Sequence, residues 1–199
     1  MRNAAFAIAI VLVSPAALAD PFSDLTSSGD ACFRRHYDAA HLRKNSRQQT
    51  TSILVWIKAP SDKVEPNVGL ALTRRGDPKP LFVSAGCEWG DAKPPIEWMP
   101  TFKKPAGAAC ITLAVPDVFD VSSAQEGSPV MLDPAPDGKT ITVHLGDHQV
   151  MVKRANRANK IEVKLGAGDR VFLLRRTDAK ACDFVREAVT APEPGVRQR

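Results

Sequence analysis

Glu88, Asp91 and Glu97 cluster between Cys87 and Cys110. Glycoside hydrolysis needs two such carboxylates about 5–10 Å apart, one donating a proton and the other acting as base or nucleophile. Their spacing alone does not show whether any two converge, and acidic residues in a polar loop are ordinarily solvated. His144 and His148 flank Asp147 in a spacing that could hold a metal. Gly146-Asp147, however, reads as a two-residue type II′ turn that makes Thr140–Leu145 and His148–Lys153 a hairpin. In that register Leu145 faces His148 and His144 faces Gln149, so the imidazoles fall on opposite faces and share no metal. His36, Asp38 and His41 are close in sequence, but nucleophilic catalysis needs a nucleophile within hydrogen-bond reach of its base. No Gly-x-Ser-x-Gly elbow is present; Ser84 sits in Val83-Ser84-Ala85-Gly86. Asp38 reads instead as a helix N-cap, with His41 a packed or surface residue of that helix. No catalytic set, metal site or cofactor is expected.

A binding role has more support. Trp89 and Trp98 flank Lys93-Pro94-Pro95, followed by Met99-Pro100 and the pair Lys103-Lys104. Prolines and a disulfide would stiffen such a loop and lower the ordering cost of binding. An exposed Trp stacks on a sugar or anchors a protein partner. The competing reading folds both indoles back over one end of a β core. Two basic clusters, Arg34, Arg35, Arg43, Lys44 and Arg47, then Lys153, Arg154, Arg157, Lys160 and Lys164, lack the interleaved aromatics that stack on bases. They read as solvated surface, and no nucleic-acid partner is expected.

The residues that position this loop belong to an exported chain. Arg2 supplies a positive n-region, Ala4 to Val13 an apolar core, Pro15 a break, and Ala17-Leu18-Ala19 a cleavage site before Asp20. The apolar run is about 10 residues, against roughly 20 for a membrane-spanning helix. No cysteine follows the cleavage site, so lipid attachment there is not expected. Loss of Arg2 takes the net charge from +5 to +4, a mild balance that permits an anionic partner without demanding one. At 44% apolar residues the chain can build a core, and the absence of a second long apolar segment implies a mature protein with no transmembrane segment. The expected location is the periplasm or the medium, where thiols pair.

Cys32, Cys87, Cys110 and Cys182 allow three pairings. Cys87–Cys110, closing the Pro- and Trp-rich loop, and Cys32–Cys182, joining the chain ends, are the favoured ones. There is no Cys-x-x-Cys to support a thiol oxidoreductase.

Asp20 to Gly29 reads as a loose polar lead-in, Cys32 to His36 as a short strand, and Ala39 to Lys44 as a helix ended by Asn45. Ile53, Val55 and Ile57 share one strand face while Leu54 and Trp56 occupy the other, so this strand is buried on both sides. Further strands are expected at Val68–Thr73, Leu81–Ala85, Ala109–Val115, and more weakly at Asp117–Val121 and Val130–Leu132. Lys160 to Leu165 alternates charged and apolar residues. Gly166 to Asp169 turns the chain into a strand over Arg170–Leu174. Asp178 caps a terminal helix carrying Cys182, Val185 and Val189 on one side, and residues 190–199 read as a disordered tail. Many short strands between turns point to one mainly β domain over residues 20–189, an antiparallel sandwich or barrel with one or two short peripheral helices, tied by disulfides. A boundary near Ser122–Pro136 is the alternative to a single domain.

Tyr37-Asp38-Ala39-Ala40-His41-Leu42 and Gly168-Asp169-Arg170-Val171-Phe172-Leu173-Leu174, with the intervening cysteines and Asp137-Gly138, resemble a loosely defined set of uncharacterised bacterial secreted proteins. The resemblance implies a small periplasmic β protein and carries no functional residue with it. The expected function is a non-catalytic binding or inhibitory module of the bacterial envelope, acting on an envelope protein or glycan through the Cys87–Cys110 loop. The alternatives are a glycan hydrolase using the loop carboxylates and a purely structural envelope protein.

Overall fold

The computed structural model describes residues 24–59, 67–91, 106–113, 128–153 and 156–190. The strands are β1 (Ala31–His36), β2 (Thr50–Ile57), β3 (Val68–Arg74), β4 (Asp77–Asp91), β5 (Ala106–Leu113), β6 (Pro129–Pro134), β7 (Thr140–Leu145), β8 (His148–Lys153), β9 (Asn156–Lys164) and β10 (Val171–Thr177). Among the described residues the short helices α1 (Ala39–Lys44) and α2 (Asp183–Thr190) accompany them.

Eight strands close into an antiparallel barrel in the order β3-β2-β1-β10-β7-β6-β5-β4, with β4 pairing back onto β3. The sandwich alternative is thereby set aside, because the sheet has no break at which to split into two layers. Residues on both sides of Ser122–Pro136 contribute to this one sheet. Closure leaves the ring no unpaired edge. An eight-stranded barrel is just wide enough to be filled by its own side chains. Phe33, Ile53, Val55, Ile57, Leu70, Leu72, Leu132, Ile141 and Phe172 fill it here.

The two faces of β2 are both covered, as the alternation predicts. Leu54 and Trp56 point outward into a second cluster with Ala71, Phe82, Val185, Ala188 and Val189. The lid is α2, whose buried residues are Val185, Ala188 and Val189. Its close approach depends on Gly69, where an added Cβ would lie 2.9 Å from Val189 Cγ2 and 3.1 Å from Val185 Cγ1. Thr190 belongs to this helix and donates its hydroxyl to the Arg186 carbonyl at 2.8 Å, rather than starting a loose tail. Residues 191–199, Asp117–Val121 and the leader over 1–19 lie outside the described residues.

Both disulfides join the favoured partners, Cys32 to Cys182 and Cys87 to Cys110. The first ties β1 to the short 3-10 turn Ala179–Cys182 that leads into α2. Among the described residues no helix is long and apolar enough to cross a membrane.

Three expectations need correction. β7 and β8 do not form a hairpin: both edges of β7 are occupied, by β6 and β10, so β8 turns away to pair with β9 and the Leu81–Phe82 stretch of β4. Gly146 is not one of the positive-φ glycines that a type II′ turn requires. It provides clearance instead, for an added Cβ would sit 3.1 Å from Pro129 Cγ. A tight two-residue connection occurs at Arg75-Gly76 between β3 and β4, with Gly76 at φ +75°. Second, β4 runs 15 residues, well past Ala85. Third, the lead-in is not loose at its end. Leu25 is buried in the barrel cluster, and Arg176 donates to its carbonyl at 2.8 Å.

Two measurements check this architecture. Replacing Cys32 and Cys182 together by Ala should cost about 4–5 kcal/mol of unfolding free energy in urea, the loop-entropy value for so long a loop. Gly69→Val should cost about 1–3 kcal/mol by overpacking under α2; an unchanged Tm would mean that the helix does not seat on β3 as described.

Candidate functional site

Of the expected binding residues, Trp89 lies on the hairpin formed by β4 and β5. Cys87 and Cys110 are direct cross-strand partners, and their bond lies in the barrel cluster. The other edge of β4 is held at the same residue. Cys87 N–H donates to Asn67 Oδ1 at 2.7 Å, and Asn67 Nδ2 donates back to the Cys87 carbonyl at 2.7 Å. A side-chain amide thus imitates one more rung of the β3–β4 ladder, which ends in backbone pairing at Val68 and Ala85. The hairpin base is fixed on both sides, by sulfur and by amide.

Beyond that base the strands continue, pairing Glu88 with Ala109, Trp89 with Ala108, Gly90 with Gly107 and Asp91 with Ala106. Trp89, Glu88 and Asp91 are therefore strand positions and not loop positions. The disulfide sets the register, and the small residues of Ala106–Ala109 let it propagate. Trp98, Glu97, Lys103 and Lys104 lie outside the described residues.

The other constellations separate into individual tasks. Asp38 accepts from His41 N–H at 2.7 Å as the N-cap of α1. That hydrogen bond holds its carboxyl below the usual carboxylate range. Its contribution is in place above that range and is lost as pH falls through the lowered value. His41 turns the other way, stacking on Tyr37 with ring centroids 4.6 Å apart and bringing Nε2 to 3.0 Å from Gln48 Oε1. Gln48 Nε2 donates to the Thr50 carbonyl at 2.8 Å, and Asn45 Nδ2 also lies 3.3 Å from His41 Nε2. Burial pushes the Tyr37 hydroxyl above its ordinary value, with Arg35 opposing the rise. His36 is exposed at the end of β1. These residues form no triad.

His144 is buried on β7. His148 is half exposed, with Nδ1 at 3.8 Å from Glu162 Oε1. His144 lies on β7, which pairs with β6 and β10, and His148 on β8, which pairs with β9, so the expected hairpin register does not relate them. Among the described residues no three potential ligands converge on a metal site. The second basic cluster includes Arg154, which lies outside the described residues. Arg34, Arg43, Lys44 and Arg47 are exposed, whereas the Arg35 guanidinium lies 5.2 Å from the Tyr37 ring centroid.

One buried charge escaped the sequence reading. Asp169, read only as a turn residue, is 1% exposed. Its Oδ1 accepts the Thr50 N–H at 2.7 Å, and its Oδ2 accepts the Gln49 N–H at 2.9 Å. Gly168 lies against the Gln48 backbone, where a Cβ would meet N and Cα at 3.4 Å. Arg75 fastens the same turn from the β3–β4 connection, donating Nε to the Gln48 carbonyl at 2.7 Å. The Tyr37 and Phe172 ring centroids are 6.5 Å apart. The segments Tyr37–Leu42 and Gly168–Leu174 thus meet at one end of the barrel. An Asp in a Gly-rich turn is common; only the tertiary fold reveals the two amides that it must satisfy.

No protein-family model, curated protein or solved structure matches the chain.

Asp169→Asn keeps the shape of the cap but presents an amide where two N–H donors need acceptors. It should cost about 1.5–3 kcal/mol, the worth of hydrogen bonds to a charged group, measured by urea denaturation. A loss below about 0.5 kcal/mol would mean that water replaces the carboxylate at no cost.

Proposed function

We propose that the protein is an exported binding or inhibitory module of the bacterial envelope, and that its binding element is the β4–β5 hairpin with Trp89, Trp98, Lys103 and Lys104. The observation that carries this reading is the doubly fixed hairpin base, where Cys87 is bonded to Cys110 and hydrogen-bonded through both backbone groups to Asn67. A base held on both edges lowers the ordering cost of whatever the connecting residues 92–105 contact. The residues best suited to acid–base chemistry are otherwise engaged, Asp38 as a cap, Asp169 on two backbone amides and His41 on Gln48. That engagement supports binding over catalysis.

Export is part of the same proposal. Met1–Ala19 reads as a secretion signal, and the two disulfides are consistent with an oxidising compartment such as the periplasm or the medium. The partner is an envelope protein or glycan.

Affinity capture from envelope extracts tests the assignment. Trp89→Ala with Trp98→Ala should abolish retention of the partner while the Tm changes by only a few degrees. Loss of the fold would return the indoles to the core and sink the proposal. Turnover of peptidoglycan or oligosaccharide that disappears in Glu88→Gln or Glu97→Gln would replace it with hydrolysis.

A further inference from the structure

β1, β10 and β7 lie side by side in the barrel and carry no acidic residue along their whole length. Exposure alternates along the first part of β10. Phe172 and Leu174 are buried in the core, whereas Val171, Leu173 and Arg175 face outward. Val171 is 43% and Leu173 55% exposed, and among the described residues no other large aliphatic or aromatic side chain is as open to solvent. Standing two residues apart on one face of one strand, they form a continuous apolar row and not a scatter of single residues.

The charge beside this row is of one sign. Arg175, the next residue along it, is the direct cross-strand partner of Arg34 on β1, and both are exposed. Like charges directly opposite one another in an antiparallel pair destabilise it. Among the described residues no carboxylate forms a salt bridge with either guanidinium. On the other flank β7 sets Thr142 opposite Leu173 and Thr140 opposite Arg175. Acids stand at the margins: Asp147 contacts Arg170 at 3.7 Å, Asp169 is buried on the Gln49 and Thr50 amides, and Asp133 lies on β6, beyond β7.

An open apolar row beside uncompensated cations matches the surface of an anionic bilayer, where phosphates receive guanidiniums and aliphatic side chains enter the acyl boundary. A second copy of this chain is a poor match, because it would bring four guanidiniums into one contact. A stable protein interface takes about 800 Å² from each partner, and two half-exposed aliphatic side chains offer far less. A fluid bilayer demands no such shape match.

We propose that the outer face of β10 is a peripheral contact for an anionic membrane surface, with Val171 and Leu173 in the acyl boundary and Arg34 and Arg175 on lipid phosphates. In the sheet β7 and β6 separate this face from β5, so it stands or falls independently of the β4–β5 hairpin.

Cosedimentation of the oxidised protein with mixed phosphatidylglycerol–phosphatidylcholine vesicles, and with vesicles of phosphatidylcholine alone, tests the proposal. At about 0.1 M salt, where the screening length is about 10 Å, the mixed vesicles should bind at least tenfold more tightly. Raising the salt to about 1 M shortens that length to about 3 Å and should remove most of the preference. Arg34→Gln and Arg175→Gln should each weaken binding to the mixed vesicles about fivefold, the effect of one basic residue near an anionic surface, with the Tm unchanged or raised. Leu173→Lys separates insertion from charge attraction, since it should weaken binding although it adds a positive charge. Trp98→Ala should leave binding unaffected. No binding to the mixed vesicles, or equal affinity for the two kinds, would overturn the proposal. So would tighter binding by Leu173→Lys, or affinity unchanged in both arginine variants.

Discussion

The pairing of β10 with β1 is the contact on which the barrel depends. Cys32, Phe33 and Arg34 lie opposite Thr177, Arg176 and Arg175, so strands from the two ends of the described chain become neighbours. Without that pairing β1 and β10 would each present an open edge and the ring would not close over Phe172 and Leu174. Bringing such distant strands together costs loop-closure entropy that grows as the logarithm of the separation. The Cys32–Cys182 bond spans 150 residues and lies just past this pairing. Once formed, it removes much of that cost from every later folding event. The sulfur bridge and the strand pairing therefore act as one device, the first limiting the unfolded chain and the second closing the sheet.

Closure also explains the division of apolar residues into two layers. Inward positions of the eight strands fill the barrel, and a smaller set on β1 to β4 faces outward beneath α2. Each layer carries its own disulfide, Cys87–Cys110 inside and Cys32–Cys182 outside. The outer layer is further anchored by Asp30, whose Oδ2 accepts from Trp56 Nε1 at 2.8 Å while its Oδ1 accepts from Ala59 N–H at 3.0 Å. One carboxylate thereby fixes an outward-facing indole and the chain leaving β2. The helix above these residues is only two turns long, too short to persist unaided. Burial of Val185 and Val189 and the adjoining Cys182 bond hold it in place.

The sequence made local features readable and left the pairing of distant strands obscure. Period-two alternation marked β2 and the charged-out pattern of β9, and Asp38 with Asn45 marked both ends of α1. Parity and compartment singled out the two disulfides. Gly146-Asp147 misled because turn propensity is local: it cannot register that both edges of β7 are already taken by β6 and β10. The length of β4 was missed for a related reason, since Cys87 to Asp91 extend only through a partner strand of small residues that carries no pattern of its own. Of the proposed binding element, its cysteines and Trp89 were legible as a cluster. The support from Asn67 was not, because a side chain standing in for a backbone rung leaves no periodic trace. Asp169 is the same case. Its acceptors serve amides about 120 residues earlier in the chain, and no spacing rule links them.

The proposed binding element adjoins a sulfur bridge, and the reason is physical. The β4–β5 hairpin rises from Cys87–Cys110. A binding surface loses affinity in proportion to the freedom it surrenders when occupied. Short strands and a two-turn helix would surrender much of it if left to packing alone. A covalent link at the base removes that freedom at the oxidation step, before any ligand arrives. On this reading the disulfides contribute to recognition as well as to stability.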